Sequence, residues 1–536
     1  MTPLASAVAT AHPLATKAGI DILNQGGNAF DAAVAVSAVL AVVEPYSSGI
    51  GGGGFWLLHR ASDHKQVMID GRERAPLAAT ETLYQDKQGN VIPKLSVDGP
   101  LAAGIPGEPA ALAHIAKQYG RLPLQTSLAS AIRAAREGFK TDAYYHRMAT
   151  FRRDLLASWP DAAKQFLDNG KVPAIGSRIV QPELADTLQA LADQGRDGFY
   201  KGEIAKRLIK AVREAGGIWT QQDLDAYRII ERSPIKFRYR NNTVVSASPP
   251  SSGGVALATM LNILSEYSLN EMSAAERTHL IVEAMRRAYR DRSEYLGDSD
   301  FVNIPIKRLT DPDYAAGLRK TIQPENATPS STLPGQPDAS SGHHTTHFSI
   351  LDKEGNRVAA TLSINYPFGS GFVAKGTGVL LNDEMDDFSA KPGVPNVYGL
   401  VGAKANAIEP GKRPLSSMSP TFIETENGIA ILGTPGGSRI ITMALLGILE
   451  SEKTTDPKKW VSLPRFHHQY LPDVIQHEAE AFTQDTTDEL HRLSHTLKQV
   501  SSYGNMQAVY WDYQTGQVKA ASDPRGVGQA SVHQVD

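Results

Sequence analysis

The sequence contains no cysteine, and this absence excludes several classes of site at once. The chain can form no disulfide, use no thiolate nucleophile and bind no zinc through sulfur. It also has no apolar run of the 18 residues that a membrane-spanning helix requires. The most apolar stretch, 30–43, carries Asp31 and ends at Glu44-Pro45, so we expect it to form a buried helix.

Neither sign of charge is in excess, because 54 basic residues are balanced by 57 acidic ones and the formal net charge is -3. Surfaces that bind nucleic acid or anionic membranes depend on an excess of positive charge. We therefore expect no nucleic-acid partner and no membrane partner. The length of 536 residues corresponds to three or four domains at ~150 residues each.

Apolar periodicity predicts a mixed α/β chain. Helical spacing predicts helices at 13–24, 29–43, 108–119, 124–138, 181–194, 202–215, 253–267, 274–295, 438–449 and 486–497. Alternation predicts strands at 54–59, 66–70, 237–247, 345–351, 358–364, 428–433, 473–478, 505–512 and 517–521. The Pro-, Ser- and Thr-rich segment 321–342 separates a helix-rich part from a strand-rich part. We interpret the two parts as one interwoven α/β domain, since neither closes a fold alone.

The most informative residues follow that segment, where Ser341-Gly342-His343-His344 leads into the strand that starts at Thr345. A flexible tail that meets a hydroxyl residue at the first position of a strand is what a self-cleaving precursor needs. Cutting the His344–Thr345 bond gives Thr345 a new α-amine beside its own hydroxyl. Such a residue holds a nucleophile and its base together, and we predict Thr345 as the nucleophile.

A hairpin of the strands 345–351 and 358–364 would bring two further polar groups beside Thr345. Ser363 and Asn365 lie at the end of the second strand, so in a hairpin they fall next to the start of the first. They would supply a hydroxyl and an amide to the nucleophile. The alternative is a surface Ser and Asn at a strand end.

Gly436 and Gly437 follow the predicted strand 428–433 and precede the predicted helix 438–449. Glycines at a strand-to-helix turn expose backbone N–H groups near the positive end of the helix dipole. This arrangement suits an oxyanion hole. The alternative is a tight turn that requires positive φ.

Three other segments carry groups that could hold a charged substrate. Arg72 lies in Asp70-Gly71-Arg72-Glu73-Arg74, and a guanidinium is the side chain best shaped to hold a carboxylate at two points. The turn 384–387 places three carboxylates within four residues, which suits an ammonium group or a hard cation; a solvated acidic turn is the alternative. Ser416 and Ser417 offer adjacent hydroxyls for a carboxylate, or form a simple loop.

Three motifs resemble well-known sites but stand in the wrong context. The run 49–54 matches G-x-G-x-x-G, yet it follows a helix and precedes a strand, the reverse of a dinucleotide site. The cluster 343–347 lacks the Glu and the helix of a zinc-protease motif. For His467-His468 we expect buried hydrogen bonding. No metal site is predicted.

Taken together, these residues resemble the γ-glutamyltranspeptidases, the glutathione hydrolases of the N-terminal-nucleophile class. The resemblance runs nearly from end to end, through a dozen motifs in the expected order. They include 11–15, 26–29, 51–55, 70–76, 249–254, 345–347, 381–388, 412–420, 435–439 and Asp523-Pro524-Arg525.

The resemblance implies a role for each candidate residue. Thr345 would be the autoprocessing and catalytic nucleophile, assisted by Ser363, where well-known members have Thr. The oxyanion hole would come from Gly436 and Gly437. The substrate α-amino group would bind Asn365, Glu384 and Asp387, and the α-carboxylate would bind Arg72, Ser416 and Ser417. The segment 391–407, with Tyr398, resembles a lid loop that some members possess.

The resemblance also implies the architecture and the reaction. We expect a four-layer αββα sandwich built from a large subunit, 1–344, whose residues 321–344 form a flexible linker, and a small subunit, 345–536. These two subunits would form a heterodimer without a metal or an organic cofactor. Substrates would be γ-glutamyl compounds such as glutathione, with water, amino acids or dipeptides as acceptors. No charged-then-apolar leader precedes Ala5, and we expect a periplasmic or secreted protein, with a cytoplasmic one as the alternative.

Two departures from the family pattern and two rival functions accompany this prediction. His344 precedes the scissile bond where a well-known bacterial member has Gln, and Tyr366-Pro367 replaces two small hydroxyl residues. The first bears on the cleavage rate and the second on the shape of the pocket. The nearby rival is a cephalosporin or glutaryl acylase of the same superfamily. A rival of another class is an inactive precursor that acts as a binding protein.

Overall fold

Two β-sheets pack face to face, and helices cover the outer face of each. The structure is a computed structural model that describes residues 2–333, 345–397, 399–400 and 402–534. The order of layers is helix, sheet, sheet, helix, which confirms the predicted four-layer αββα sandwich. Within those ranges, no helix combines the length and apolar character needed to cross a membrane.

The strands, in chain order, are β1 Ser6–Thr10, β2 Gly53–Arg60, β3 Lys65–Gly71, β4 Phe139–Lys140, β5 Arg178–Ile179, β6 Ile230–Arg232, β7 Ile235–Tyr239, β8 Asn242–Ser246, β9 Thr346–Leu351, β10 Arg357–Ser363, β11 Val373–Ala374, β12 Val379–Leu380, β13 Thr421–Glu424, β14 Gly428–Gly433, β15 Phe466–His467, β16 Ile475–His477, β17 Leu497–Gln499, β18 Gln507–Asp512, β19 Val518–Ser522 and β20 Gln529–His533.

The α-helices are α1 Pro13–Asn24, α2 Ala29–Val43, α3 Glu108–Gln118, α4 Leu124–Glu137, α5 Ala143–Ser158, α6 Pro160–Phe166, α7 Pro182–Gln194, α8 Asp197–Tyr200, α9 Gly202–Glu214, α10 Gln221–Ala226, α11 Gly253–Leu264, α12 Ala274–Tyr295, α13 Ile306–Leu309, α14 Pro312–Arg319, α15 Ile440–Ser451, α16 Pro457–Ser462 and α17 Gln484–Arg492.

The two large sheets are antiparallel, and each draws strands from both sides of Thr345. The order is β20-β1-β9-β10-β2-β3-β6 in the first sheet and β19-β18-β14-β13-β8-β7 in the second. Their facing sides bury apolar residues such as Leu57, Ala359, Phe422, Ile431 and Val509. Strands from the two parts of the chain are therefore hydrogen-bonded to each other within each large sheet.

The helix α2 shows why the first outer layer forms. All of its residues are buried, since the sequence 29–43 is apolar on every side. The Asn28 side chain accepts hydrogen bonds from the backbone N–H groups of Phe30 and Asp31, and the Asp31 carboxylate accepts one from the Asn28 N–H. This capping box fixes the start of the helix. The helix packs on β9 and β10 and so supports the strands that carry the candidate nucleophile.

Two sequence-based predictions of secondary structure are wrong. The stretch 237–247 is not one strand, because the chain reverses at Arg240, where φ is +53°, and continues as the hairpin partner β8. The stretch 486–497 is not one helix, because α17 ends at Arg492 and Ser494 takes a φ of +68°. The residues after that turn enter a strand, β17.

Candidate active site

Thr345 lies directly before β9 and is buried, with 6% of its surface exposed. The strands β9 and β10 form the predicted hairpin, in which Thr346 pairs with Leu362. This register brings the Thr345 Oγ1 to 3.4 Å from the Ser363 Oγ. The predicted juxtaposition of the two hydroxyls is therefore confirmed.

Asn365 turns the chain immediately after β10. Its φ is +73°, and its backbone N–H donates to the Ser363 Oγ at 2.8 Å. Because that hydroxyl oxygen already accepts this N–H, its own proton points to another acceptor, and both the Glu384 carboxylate and the Thr345 Oγ1 lie within its reach. The Asn365 side-chain amide donates to the Asp383 carbonyl at 3.0 Å.

The glycine run 49–54 packs against this hairpin and has a structural role. A Cβ on Gly52 would lie 2.2 Å from the Ser363 carbonyl oxygen, and Gly53 pairs with Ser363 in the sheet. Only glycine allows the backbone to approach so closely. The run therefore holds β10 in place behind the candidate nucleophile.

Arg72 lies at the centre of the charged part of the site and is 1% exposed. Its guanidinium donates to Glu384 at 2.6 Å and to Asp387 at 2.5 Å, and also to the Pro414 carbonyl at 3.2 Å. Arg74, the second guanidinium of this motif, instead donates to the carbonyls of Gly411 and Ala226. Only Arg72 of the two reaches the pocket.

The acidic turn 384–387 forms a short 3-10 helix, and its carboxylates do different things. Glu384 and Asp387 both contact Arg72, whereas Asp386 accepts hydrogen bonds from Ser96 and from the backbone of Val397. Burial raises the pKa of Glu384, and the Arg72 guanidinium opposes that shift. The turn is thus a buried part of the site and not a solvated loop.

Ser416 and Ser417 also line the pocket, on the loop whose Pro414 carbonyl accepts from Arg72. The Ser416 Oγ accepts the Met418 N–H at 3.0 Å, and the Ser417 Oγ accepts a hydrogen bond from Arg292 at 3.1 Å. The Ser416 carbonyl accepts the backbone N–H and the hydroxyl of Ser252. These bonds fix the loop in place.

The glycine pair lies where the sequence places it, between β14 and α15. Gly436 has a φ of +145° and Gly437 a φ of +56°, so both take conformations that glycine adopts at no steric cost. Gly437 lines the pocket together with Ile440 from the first turn of the helix. Gly437 therefore both takes a positive φ in a tight turn and lines the pocket.

One pocket gathers nearly all of the predicted site residues. Its lining consists of Arg72, Thr345, Ser363, Asn365, Glu384, Asp387, Leu400, Ser416, Ser417, Met418, Gly437 and Ile440. The cavity is only about 20 Å³, close to the room that one water molecule needs. A ligand larger than a water molecule must therefore separate side chains that touch in this structure, such as Arg72 and Asp387.

The predicted lid segment and the histidine motifs have clear positions where the structure describes them. Asn396 donates to Asp387 at 3.2 Å, and Leu400 lines the pocket, so part of 391–407 lies over the site. Tyr398 lies outside the described residues. His347 is buried and contacts the hydroxyls of Thr361 and Ser349, and burial lowers its pKa to about 3.

His467 and His468 are both buried in hydrogen-bonded positions, as predicted. His467 contacts the Thr442 hydroxyl at 2.8 Å, and His468 contacts the Asp473 carboxylate at 3.1 Å. Within the described ranges, no group of three or more His, Asp or Glu side chains is arranged to hold a metal ion.

Sequence reasoning missed three buried charged residues next to the site. Glu73 lies 3.7 Å from the Arg72 guanidinium, and burial raises its pKa well above the ordinary value. Glu44 accepts a hydrogen bond from the Thr346 hydroxyl at 2.7 Å, and Arg292 contacts Ser417. The contact between Glu44 and Thr346 spans 302 positions, so no local pattern could indicate it.

Comparison with known proteins identifies the family of this chain. The family model described as gamma-glutamyltranspeptidase matches residues 15–533. A protein named glutathione hydrolase proenzyme from Pseudomonas sp. (strain A14) is 46% identical over 89% of this chain and 84% of its own length. A protein of the same name from Escherichia coli (strain K12) is 42% identical over 97% of this chain and 90% of its own length.

Solved structures agree with this assignment. The cephalosporin acylase from Bacillus halodurans matches with a TM-score of 0.86 and 29% identity, covering 99% of this chain and 96% of the acylase. The gamma-glutamyltranspeptidase from Helicobacter pylori matches with a TM-score of 0.59 and 40% identity, covering 60% of this chain and 93% of the solved chain. The chain described here belongs to the gamma-glutamyltranspeptidase family.

Proposed function

We propose that this protein is an enzyme that cleaves the γ-glutamyl amide bond of glutathione and related compounds. It passes the γ-glutamyl group through an ester on Thr345 to water, or to amino acids and dipeptides. The observation that carries the proposal is the single pocket in which the Thr345 hydroxyl, the Ser363 hydroxyl and the charged group of Arg72, Glu384 and Asp387 meet.

The first reaction is self-cleavage into a large subunit, 1–344, and a small subunit, 345–536. The Thr345 Oγ attacks the His344 carbonyl carbon, the peptide C–N bond breaks, and the Thr345 nitrogen takes up the proton that the hydroxyl released and becomes a free amine. Water then hydrolyses the ester and releases the His344 carboxylate. Support comes from the position of Thr345 at the start of a buried strand and from relatives that are named proenzymes.

The freed amine then serves as the general base for turnover. An α-amino group has an ordinary pKa of ~7.7–8.0, which suits proton abstraction near neutral pH. The Thr345 Oγ attacks the γ-carbonyl carbon, and the N–H groups of Gly436 and Gly437 stabilise the oxyanion. The amine product leaves with the proton, and water or an acceptor amine resolves the ester. Ser363 assists Thr345 by hydrogen bonding.

The charged groups of the site divide between the two charged substituents on the α-carbon of the glutamyl moiety. Glu384, Asp387 and the Asn365 amide receive the α-ammonium group, while Arg72, Ser416 and Ser417 receive the α-carboxylate. Because Arg72 and Asp387 contact each other directly, the substrate inserts its own two charges between them. One buried ion pair is thereby replaced by two. Tyr398 of the lid segment is assigned to the substrate site on the family resemblance alone.

An acylase that removes a glutaryl or cephalosporin side chain is the second candidate, because the most complete structural match above is a cephalosporin acylase. A glutaryl group lacks the α-ammonium that two buried carboxylates would bind. We therefore favour the γ-glutamyl substrate.

Two assays test the proposed function. A denaturing gel of the purified protein should show two fragments that sum to 57.8 kDa. The same sample should hydrolyse γ-glutamyl-p-nitroanilide much faster than glutaryl-p-nitroanilide. A chain that stays whole and inactive supports the binding-protein alternative, and the reverse substrate preference supports the acylase.

We also propose a periplasmic or secreted location, which rests on the bacterial glutathione hydrolases among the relatives. Fractionation of cells that express the full gene product tests it. Activity confined to the cytoplasmic fraction contradicts it.

A further inference from the structure

We propose that Arg292 is a positioning residue for substrate recognition, which fixes the Ser417 hydroxyl as a hydrogen-bond donor to the substrate α-carboxylate. Arg292 lies in the last turn of α12, behind the loop that carries the two pocket serines. Its Nη2 donates to the Ser417 Oγ at 3.1 Å, and its Nε donates to the Ser252 Oγ at 3.0 Å. The inference rests on the proposed function, because it concerns how that substrate is held.

The charge of Arg292 is buried without a direct counter-ion. The residue is 5% exposed, and in the part of the chain that the structure describes it forms no ion pair within 4.0 Å. Arg72, by contrast, is paired with both Glu384 and Asp387. A guanidinium remains protonated even when buried, and a buried cation is costly unless it is compensated. The pocket beside Ser417 therefore carries a positive charge that an incoming carboxylate can neutralise.

The directions of the hydrogen bonds specify what this charge does. A guanidinium has only donors, so the Ser417 Oγ accepts from Arg292 and its own proton must point elsewhere. The Ser416 Oγ likewise accepts the Met418 N–H. Both residues line the pocket, and each hydroxyl oxygen accepts one hydrogen bond while its proton is available to a ligand. A pair of aligned hydroxyl donors in front of a buried cation is complementary to a carboxylate.

The second hydrogen bond of Arg292 ties this arrangement to the loop backbone. The Ser252 hydroxyl accepts from Arg292 and donates to the Ser416 carbonyl at 2.7 Å. Through Ser252, Arg292 therefore fixes the position of the loop backbone at Ser416. Its direct hydrogen bond to Ser417 fixes the orientation of the Ser417 hydroxyl. Neither contact involves Thr345, so this device serves substrate recognition and not the nucleophile.

The test compares three reactions of the same protein. In Arg292→Met, self-cleavage before Thr345 should proceed at the wild-type rate, because it involves no substrate carboxylate. The kcat/KM for γ-glutamyl-p-nitroanilide should fall about 10- to 100-fold, the range expected for losing hydrogen bonds to a charged group, with KM rising. For 4-aminobutyryl-p-nitroanilide, which lacks the α-carboxylate, kcat/KM should change less than about threefold.

A double-mutant cycle provides the second measurement and needs only the γ-glutamyl substrate. If Arg292 acts through Ser417, the double variant Arg292→Met/Ser417→Ala should be no worse than the poorer single variant. Arg290→Met is the matched control, since Arg290 lies on the same helix, pairs with Asp291 and does not line the pocket. It should leave all three reactions unchanged. If Arg292→Met does not fold, Arg292→Lys takes its place in the double-mutant cycle. Lysine retains the positive charge but loses the planar guanidinium that donates to two hydroxyls at once.

Three results overturn the inference. These are an equal loss on both anilides, a loss of self-cleavage that parallels the loss of turnover, or additive effects in the cycle. Failure of the proposed function gives a different result. In that case the wild-type protein cleaves itself but does not turn over γ-glutamyl-p-nitroanilide. The inference about Arg292 is then wrong as well, because it rests on that function.

Discussion

The two walls of the pocket are built on different principles. The nucleophile wall consists of Thr345 and Ser363, whose uncharged side chains are brought together by the register of one hairpin. The recognition wall consists of Arg72, Glu384 and Asp387 together with Ser416 and Ser417, and these residues come from separate loops. Arg72 reaches its two carboxylates across 312 and 315 positions of the chain.

The difference shows how one pocket can separate chemistry from specificity. Backbone hydrogen bonds of a buried sheet hold the nucleophile wall, so a substitution there changes the reacting groups and leaves the frame intact. Ion pairs hold the recognition wall, and removing one partner leaves a buried charge unpaired. We therefore expect variants of the first wall to lose rate, and variants of the second to lose both affinity and stability.

The largest effect should follow from Thr345→Ala. Without its hydroxyl the chain can neither cleave itself nor form an acyl ester, so a denaturing gel should show one band and γ-glutamyl turnover should be absent. Thr345→Ser is the matched control, because it retains the hydroxyl and should give two bands. Turnover by the uncut Thr345→Ala protein would remove the nucleophile wall from the mechanism.

The next largest effect should follow from Arg72→Met. It leaves Glu384 and Asp387 buried without their cation, which costs about 3–5 kcal/mol of stability for a pair this deeply buried. The substrate α-carboxylate also loses its charged partner, so kcat/KM should fall at least about 100-fold. Thermal melts and steady-state kinetics measure the two losses.

Arg74→Met is the control for this prediction, since Arg74 bonds only backbone carbonyls outside the pocket. It should cost less than Arg72→Met in both assays. An equal loss of kcat/KM in the two variants would contradict a specific role for Arg72.

A moderate effect should follow from Ser363→Ala. The Thr345 hydroxyl loses its neighbour at 3.4 Å, while the ion pairs of Arg72 with Glu384 and Asp387 stay in place. Removal of one hydrogen bond in such a site should lower kcat roughly 10-fold with little change in KM. Ser363→Thr restores the hydroxyl and should recover most of the rate; a rise in KM as the main effect would place Ser363 on the recognition wall instead.

The smallest effect on turnover should follow from Glu44→Gln, because Glu44 does not line the pocket and contacts Thr346, the residue after the nucleophile. Burial raises the pKa of Glu44 from 4.5 to about 7, so the folded protein favours its neutral form. Its contribution to stability is therefore full below pH 4.5 and is lost as the pH rises towards 7. Gln stays neutral, so the stability of the variant relative to wild type should rise by up to about 3 kcal/mol across that interval.

Thermal melts of the two proteins at pH 4.5 and pH 8 measure this difference. If the difference in melting temperature between wild type and Glu44→Gln is the same at pH 4.5 and at pH 8, the raised pKa of Glu44 in the folded protein is contradicted.

The nucleophile wall was predictable because the positions of its residues depend only on a short continuous stretch of sequence. A turn of five residues joins the two strands, so the positions of Thr345 and Ser363 follow from counting along the hairpin. The class of fold was predictable for a similar reason, since long periodic segments such as 274–295 coincide with the helices of the structure.

The recognition wall was predictable only through family resemblance. The sequence shows that Arg72 and the turn 384–387 are charged, but not that they contact each other, because that contact depends on how distant loops pack. Arg292 stands among several arginines of one long helix, and nothing local distinguishes it from its neighbours. The error at 237–247 has a local cause, since the alternation continues across a turn of two residues.

The most direct test is mass spectrometry of the denatured enzyme after brief incubation with a γ-glutamyl substrate. The small fragment should begin at Thr345 and carry a γ-glutamyl group on that residue, while the large fragment should carry none. A covalent γ-glutamyl group on any other side chain, or a small fragment with a different first residue, would contradict the assignment of Thr345 as the nucleophile.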